Sequence, residues 1–189
     1  MRKSLWKKVT LVYICLCVII ILIITTTLIN LYYANNSVDN LLAANYKSIT
    51  AASYMMNVVE EQNNSILNYI DTAKQSNIEQ FLINSNDYYK WYDIENSNIT
   101  EPGEKVLVDK LNTAYSNYFN VSTASIKFRN SNGVKSALKY YTADVIPIYN
   151  DVKLDLKSIA KLNENAIFQR KTNLTQASKK SAIYILLLC

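Results

Sequence analysis

The chain has 189 residues, half of them hydrophobic, with 20 basic and 15 acidic residues, three cysteines and no histidine. Without histidine there is no usual general base, no triad built on one and no imidazole metal ligand. Arg2, Lys3, Lys7 and Lys8 supply most of the +5 formal charge, leaving 16 basic against 15 acidic residues in the rest of the chain, a balance that argues against a nucleic-acid partner.

Residues 1–8 read as a basic cytoplasmic tail. Val9 to Ile29, VTLVYICLCVIIILIITTTLI, follows without a charge, proline or glycine. A helix of this length crosses the roughly 30 Å hydrocarbon core of a bilayer, and it pairs its own backbone groups there. The run is too long and its exit too bulky for a cleaved signal peptide. A retained span over residues 9–31 is expected, with Tyr32 and Tyr33 at the outer interface. The cationic flank keeps the N-terminus cytoplasmic and puts residues 32–180 outside.

The outer segment contains no cysteine, because Cys15, Cys17 and Cys189 lie in the apolar runs, so no disulfide scaffold is expected. Asn-x-Ser/Thr at Asn35, Asn63, Asn98, Asn120 and Asn173 reads as chance in an Asn-rich chain of bacterial flavour. Few helix breakers and apolar residues at helical spacing predict an all-α domain. Helix one carries Val38, Leu42, Asn45, Ile49, Ala52, Met56, Val59, Asn63, Ile66 and Ile70 in a 4-3 repeat, and no breaker separates it from the span. Helix two carries Ile78, Phe81, Ser85, Tyr88 and Tyr92 and ends near Glu95. In the loop Ser97 to Glu104, Thr100 or Glu101 is expected to cap helix three, with Pro102 in its first turn. Helix three carries Leu107, Leu111, Ala114, Tyr118, Val121, Ser125 and Phe128, and NSNG (Asn130 to Gly133) is a turn. Helix four carries Leu138, Tyr141, Val145, Ile148, Val152, Leu156, Ile159, Leu162 and Ala166, with a kink expected at Pro147. It runs on into Ser181 to Cys189, nine apolar residues that read as the start of a second span, cut short.

Four amphipathic helices with short loops predict an antiparallel up-down four-helix bundle whose first and last helices continue into membrane spans. Tyr88, Tyr89, Trp91 and Tyr92 on helix two and Tyr115, Tyr118 and Phe119 on helix three read as core packing rather than a ligand box.

Leu41 to Leu67 (LLAANYKSITAASYMMNVVEEQNNSIL), Asn98 to Glu104 (NITEPGE) and Ile146 to Ile167 (IPIYNDVKLDLKSIAKLNENAI) resemble, in that order, the sensor domain of the alginate-biosynthesis sensor kinase KinB and related bacterial membrane histidine kinases. The resemblance covers nearly the whole outer domain and implies a homodimeric sensor that passes phosphate to a response regulator through a kinase part not contained in these residues. No enzyme activity is expected of the chain itself, and no cofactor or metal.

Helix lengths place the NITEPGE loop level with helix-one residues 45–50 and helix-four residues 160–165. Asn45 and Ser48 should therefore meet Asn98, Thr100, Glu101 and Asn163 in one polar layer. That layer either sets register and caps helices or forms a small-ligand or signal-responsive site. A second candidate is Lys127 with Arg129 near the other end, as a cationic site for an anion across a dimer or as solvated surface charge. The leading functional reading is the sensory and anchoring part of a sensor histidine kinase, responding to a small-molecule or envelope signal. A chemotaxis-receptor ectodomain and a membrane-tethered bundle that binds a partner protein are the alternatives.

Overall fold

The computed structural model describes the backbone of residues 2–188 and the side chains of residues 6–29, 32 and 38–176. Among these residues every regular element is helical: α1 (Arg2–Thr72), α2 (Gln75–Asn96), α3 (Glu104–Tyr140), a π-helical turn (Tyr141–Val145) and α4 (Ile146–Leu188). The chain divides into two compact units, residues 1–41 and residues 42–189.

In the first unit, Trp6–Ile29 has a mean hydropathy of 2.9 with none of it buried, and is long and apolar enough to cross a bilayer. Its threonines are compatible with that environment. Thr10, Thr25, Thr26 and Thr27 each turn the hydroxyl back to a carbonyl one turn earlier, at 2.7–2.9 Å, so these four donors are satisfied within the helix. Tyr32 is exposed. The side chains of Tyr33 and of Ser181 to Leu188, and all of Cys189, fall outside the described residues.

The second unit is the bundle. Contacts that climb one helix while descending the next fix its topology: Tyr54 stacks on Trp91 while Gln62 reaches the Phe81 carbonyl. Glu104 of α3 meets Asn163 of α4 while Tyr118 packs against Tyr149. Neighbouring helices are therefore antiparallel, in the up-down order. The core runs the length of the bundle through Met55, Val59, Ile66, Phe81, Tyr88, Val108, Leu111, Tyr118, Val152, Leu156 and Ile159. Burying each large aliphatic side chain contributes about 1.5–3 kcal/mol.

Helix one faces inward one step away from the predicted seam. Asn45, Ser48, Ala52, Met55, Val59, Gln62, Ile66 and Tyr69 are buried, so Ser48, Met55, Gln62 and Tyr69 replace Ile49, Met56, Asn63 and Ile70 as the alternate positions, although Ile70 is buried too. A bundle helix buries a face wider than a two-residue seam, and the polar Ser48 and Gln62 on that face carry no apolar signal. Helix three behaves likewise: Val108, Tyr115 and Ser122 are buried where Leu107, Ala114 and Val121 are only partly so, and Phe128 is 39 % exposed.

The loop differs from expectation as well. Neither Thr100 nor Glu101 caps α3, and Pro102 precedes the helix. The cap is Gly103, at φ 87, which glycine adopts without strain. The Glu104 carboxylate draws the chain into a tight turn by accepting the amides of Thr100 and Glu101, which delays the helix start. NSNG is a turn with helix on both sides, broken at Gly133 (φ 76, ψ 178). In a regular α-helix the Pro147 ring would collide with the Ala143 carbonyl, and the missing N–H would leave that carbonyl without its donor. The backbone relieves this by widening into the π-helical turn just before it.

Candidate functional site

The α2–α3 loop closes the end of the bundle at which residues 42–48 of α1 enter. The C-terminal turn of α2 is completed by the Ser97 amide on the Asp93 carbonyl and the Asn98 amide on the Glu95 carbonyl, 3.1 and 2.9 Å. This aims the Asn98 side chain at α1, where its amide donates to the Ala44 carbonyl and to Ser48 Oγ, both 2.8 Å. Thr100 Oγ1 donates to Asn45 Oδ1 at 3.1 Å. From α3, Glu104 Oε2 accepts the backbone amides of Thr100 and Glu101 at 2.7 and 3.0 Å, and Oε1 accepts Asn163 Nδ2 of α4 at 2.5 Å. Arg170 of α4 pairs with Glu101. The loop is thereby tied to α1 and to α4 at once.

All six residues expected to meet here do meet: Asn45, Ser48, Asn98, Thr100, Glu101 and Asn163. Glu95, Glu104 and Arg170 complete the layer and were not anticipated. Glu95 continues the 81–85–88–92 stripe by the next step, so its inward direction was readable. The signal for Glu104 was its place three residues after Glu101, from which a carboxylate reaches back to free amides.

Asn45, Ser48, Glu95, Glu104 and Asn163 are all fully buried. Glu104 has a donor on each oxygen, but neither oxygen of Glu95 has a hydrogen-bond partner among the described residues. Burial pushes the Glu95 carboxyl from 4.5 up to about 7; nearby Ser48 holds it down in part, Glu104 raises it further and Lys47 lowers it. Asn45 Nδ2, Asn163 Oδ1 and Arg170 Nη1 are also buried without partners. The layer is tightly tied yet incompletely satisfied.

Half-way along the bundle lies a second polar group, inside the aromatic core. Tyr88 and Tyr115 stack at 3.4 Å between ring centres, 7° from parallel. The Tyr115 hydroxyl accepts from Gln62 Nε2 at 3.0 Å and lies 3.2 Å from Ser85 Oγ. Burial pushes the Tyr115 phenol up to about 12, and the Tyr88 and Tyr118 phenols are raised by the same cause. The tyrosines are core packing. Tyr89, at 41 % exposure, is the exception.

Lys127 and Arg129 lie apart from the loop layer. Lys127 is exposed, while Arg129 Nε donates to the Ile70 carbonyl in the last turn of α1. Beside it, Tyr69 donates to Asn130 Oδ1 at 2.7 Å. The two cations do not converge within the chain.

Among solved structures, the chain is similar to one titled "Periplasmic sensor domain of sensor histidine kinase", with a TM-score of 0.65 and 14 % identity over 73 % of this chain and 95 % of that one. At that identity the likeness concerns the fold. A comparison with curated proteins gave no match. Residues 3–176 match the family described as a four helix bundle sensory module for signal transduction. The match takes in nearly the whole chain, from the apolar segment to the far side of the loop layer, and the chain belongs to that family.

Proposed function

We propose that the chain is the extracytoplasmic sensor and membrane anchor of a two-component sensor histidine kinase, working as a homodimer. The basic residues before Val9 hold the N-terminus in the cytoplasm. The observation that carries this reading is that α1 bears both the bilayer-length Trp6–Ile29 segment and, on the same helix, the Asn45 and Ser48 contacts of the loop layer. The family assignment supports a sensory role, the kinase sensor domain of like fold supports the kinase class, and the resemblance to KinB-type sensors points the same way. The loop layer is the signal-responsive element in this reading. A change there displaces α1 against α4 by a small piston, tilt or rotation, and the displacement crosses the membrane to a kinase part that phosphorylates a response regulator.

The test is disulfide cross-linking in membranes carrying the full gene product. Cys15, Cys17 and Cys189 are first replaced by Ala, and single cysteines are then walked along Val9 to Ile29. A pairing pattern that shifts when the stimulus is applied supports transmission through this helix; an invariant pattern counts against it. Coupling of the same membranes to a chemotaxis assembly, without phosphotransfer to a regulator, would replace the kinase with the chemoreceptor reading.

A further inference from the structure

Three features of the loop layer converge on Glu95. Both of its oxygens are buried without a hydrogen-bond partner among the described residues. It lies in the last turn of α2, where the free carbonyl ends of the helix disfavour a negative charge. It also lies near Glu104, which already has its donors. The charged groups that act on it are Lys47 on α1 and Glu104 on α3, while Arg170 on α4 pairs with Glu101. Ser48 and Lys47 favour the charged form but do not offset burial, so the arrangement favours a protonated carboxyl.

We infer that the signal read at this layer is the proton: protonated Glu95 keeps the α2–α3 loop closed on α1 and α4, and ionised Glu95 releases it. On ionisation the carboxyl O–H bond breaks, the proton goes to water, and the carboxylate is left beside Glu104 without a donor. It gains hydration by leaving the layer, and the ties of Asn98 and Thr100 to α1 and of Glu104 to Asn163 loosen with it. The inference rests on the sensory reading above and names the signal for that same site.

The sign follows from linkage. The closed form holds its proton up to about pH 7, whereas the released carboxyl loses it near the ordinary 4.5. The closed state is therefore fully favoured below about 4.5, loses ground as pH rises to about 7, and loses no more above that.

The experiment uses the full chain in phosphatidylcholine nanodiscs, with amide hydrogen exchange at Thr100 and Glu101 followed from pH 5 to 8 and corrected for the intrinsic rate. The loop-opening constant should rise by up to about tenfold per pH unit between 5 and 7 and level off above, by linkage to one proton. In Glu95→Gln the constant should be flat. A flat wild type, or an unchanged slope in the variant, overturns the inference. A second reading needs no variant: the carbon-13 shift of the Glu95 carboxyl should titrate near neutrality, and an ordinary carboxylate midpoint overturns the inference as well. Failure of the sensory reading looks different. If the layer titrates while span cross-linking ignores pH, the switch stands and transmission fails. If the span responds to another stimulus while the layer stays inert, transmission stands and the proton is not the signal.

Discussion

Gln62, Ser85 and Tyr115 bury their polar atoms half-way along the bundle, and Glu95, Glu104 and Asn163 do so at its loop end. Both groups interrupt an apolar seam, and in each burial raises the pKa of one acid, Tyr115 in the first and Glu95 in the second. The consequences are opposite. Burial moves the Tyr115 phenol from 10 to about 12, further from any physiological pH, so the aromatic layer stays neutral. Burial moves the Glu95 carboxyl from 4.5 to about 7, into that range. One physical cause makes one layer inert and the other responsive, and the residue type decides which.

The contrast is broken most forcefully in the aromatic layer. Tyr115→Ala removes a fully buried ring stacked on Tyr88 and edge-on to Tyr89, and leaves a cavity. It should lower stability by about 3–5 kcal/mol, read by denaturant unfolding, with the same loss at pH 5 and pH 8. A pH-dependent loss would show that the aromatic layer titrates after all.

The next effect has the other sign. Glu95→Gln keeps the shape and removes the titration, so it should stabilise the chain by up to about 3 kcal/mol above pH 7, given the shift from 4.5 to about 7. The gain should shrink as pH falls and vanish near 4.5. A gain that persists at acid pH would mean that packing, not charge, sets the strain in the layer.

These two layers were unequally legible in the sequence. The aromatic stripe on α2 and α3 follows helical spacing, and apolar burial dominates its energetics, so periodicity found it. The meeting of Asn45, Ser48, Asn98, Thr100, Glu101 and Asn163 followed from helix lengths alone, because antiparallel helices with short loops leave few choices of level. Glu95 and Glu104 escaped because a buried carboxylate is improbable by residue type, and only tertiary partners decide where one is tolerated. The start of α3 differs from the local signal for a related reason. The local signal of Thr100 and Pro102 was overridden by Glu104, whose side chain takes the amides that a conventional cap would satisfy.

A smaller loss comes from cutting one tie of the loop layer. Asn163→Ala removes the donor to Glu104 Oε1 and leaves a buried oxygen bare. The cost should be about 1–3 kcal/mol, measured by thermal or denaturant unfolding. A layer that only sets register predicts this loss with an unchanged pH response of the loop. A responsive layer predicts a loop already partly open at pH 5, with a shallower rise towards pH 7.

The smallest effects test whether the far end of the bundle belongs to either class. Arg129 and Lys127 are both cations, yet only Arg129 is tied into the fold, through its bond to the Ile70 carbonyl beside the Tyr69–Asn130 contact. That bond satisfies one of the free carbonyls at the C-terminus of helix structure in α1, where a cation is also favoured by the helix dipole. Arg129→Ala should therefore cost about 1 kcal/mol, and Lys127→Ala should stay within about 0.5 kcal/mol, as exposed charges usually do. Equal and negligible effects would return Arg129 to the solvated surface. A loss at Lys127 matching that at Arg129, appearing only as protein concentration rises, would place both cations in a contact between two copies of the chain. The far end would then join the loop layer as a region where charge, not packing, sets behaviour.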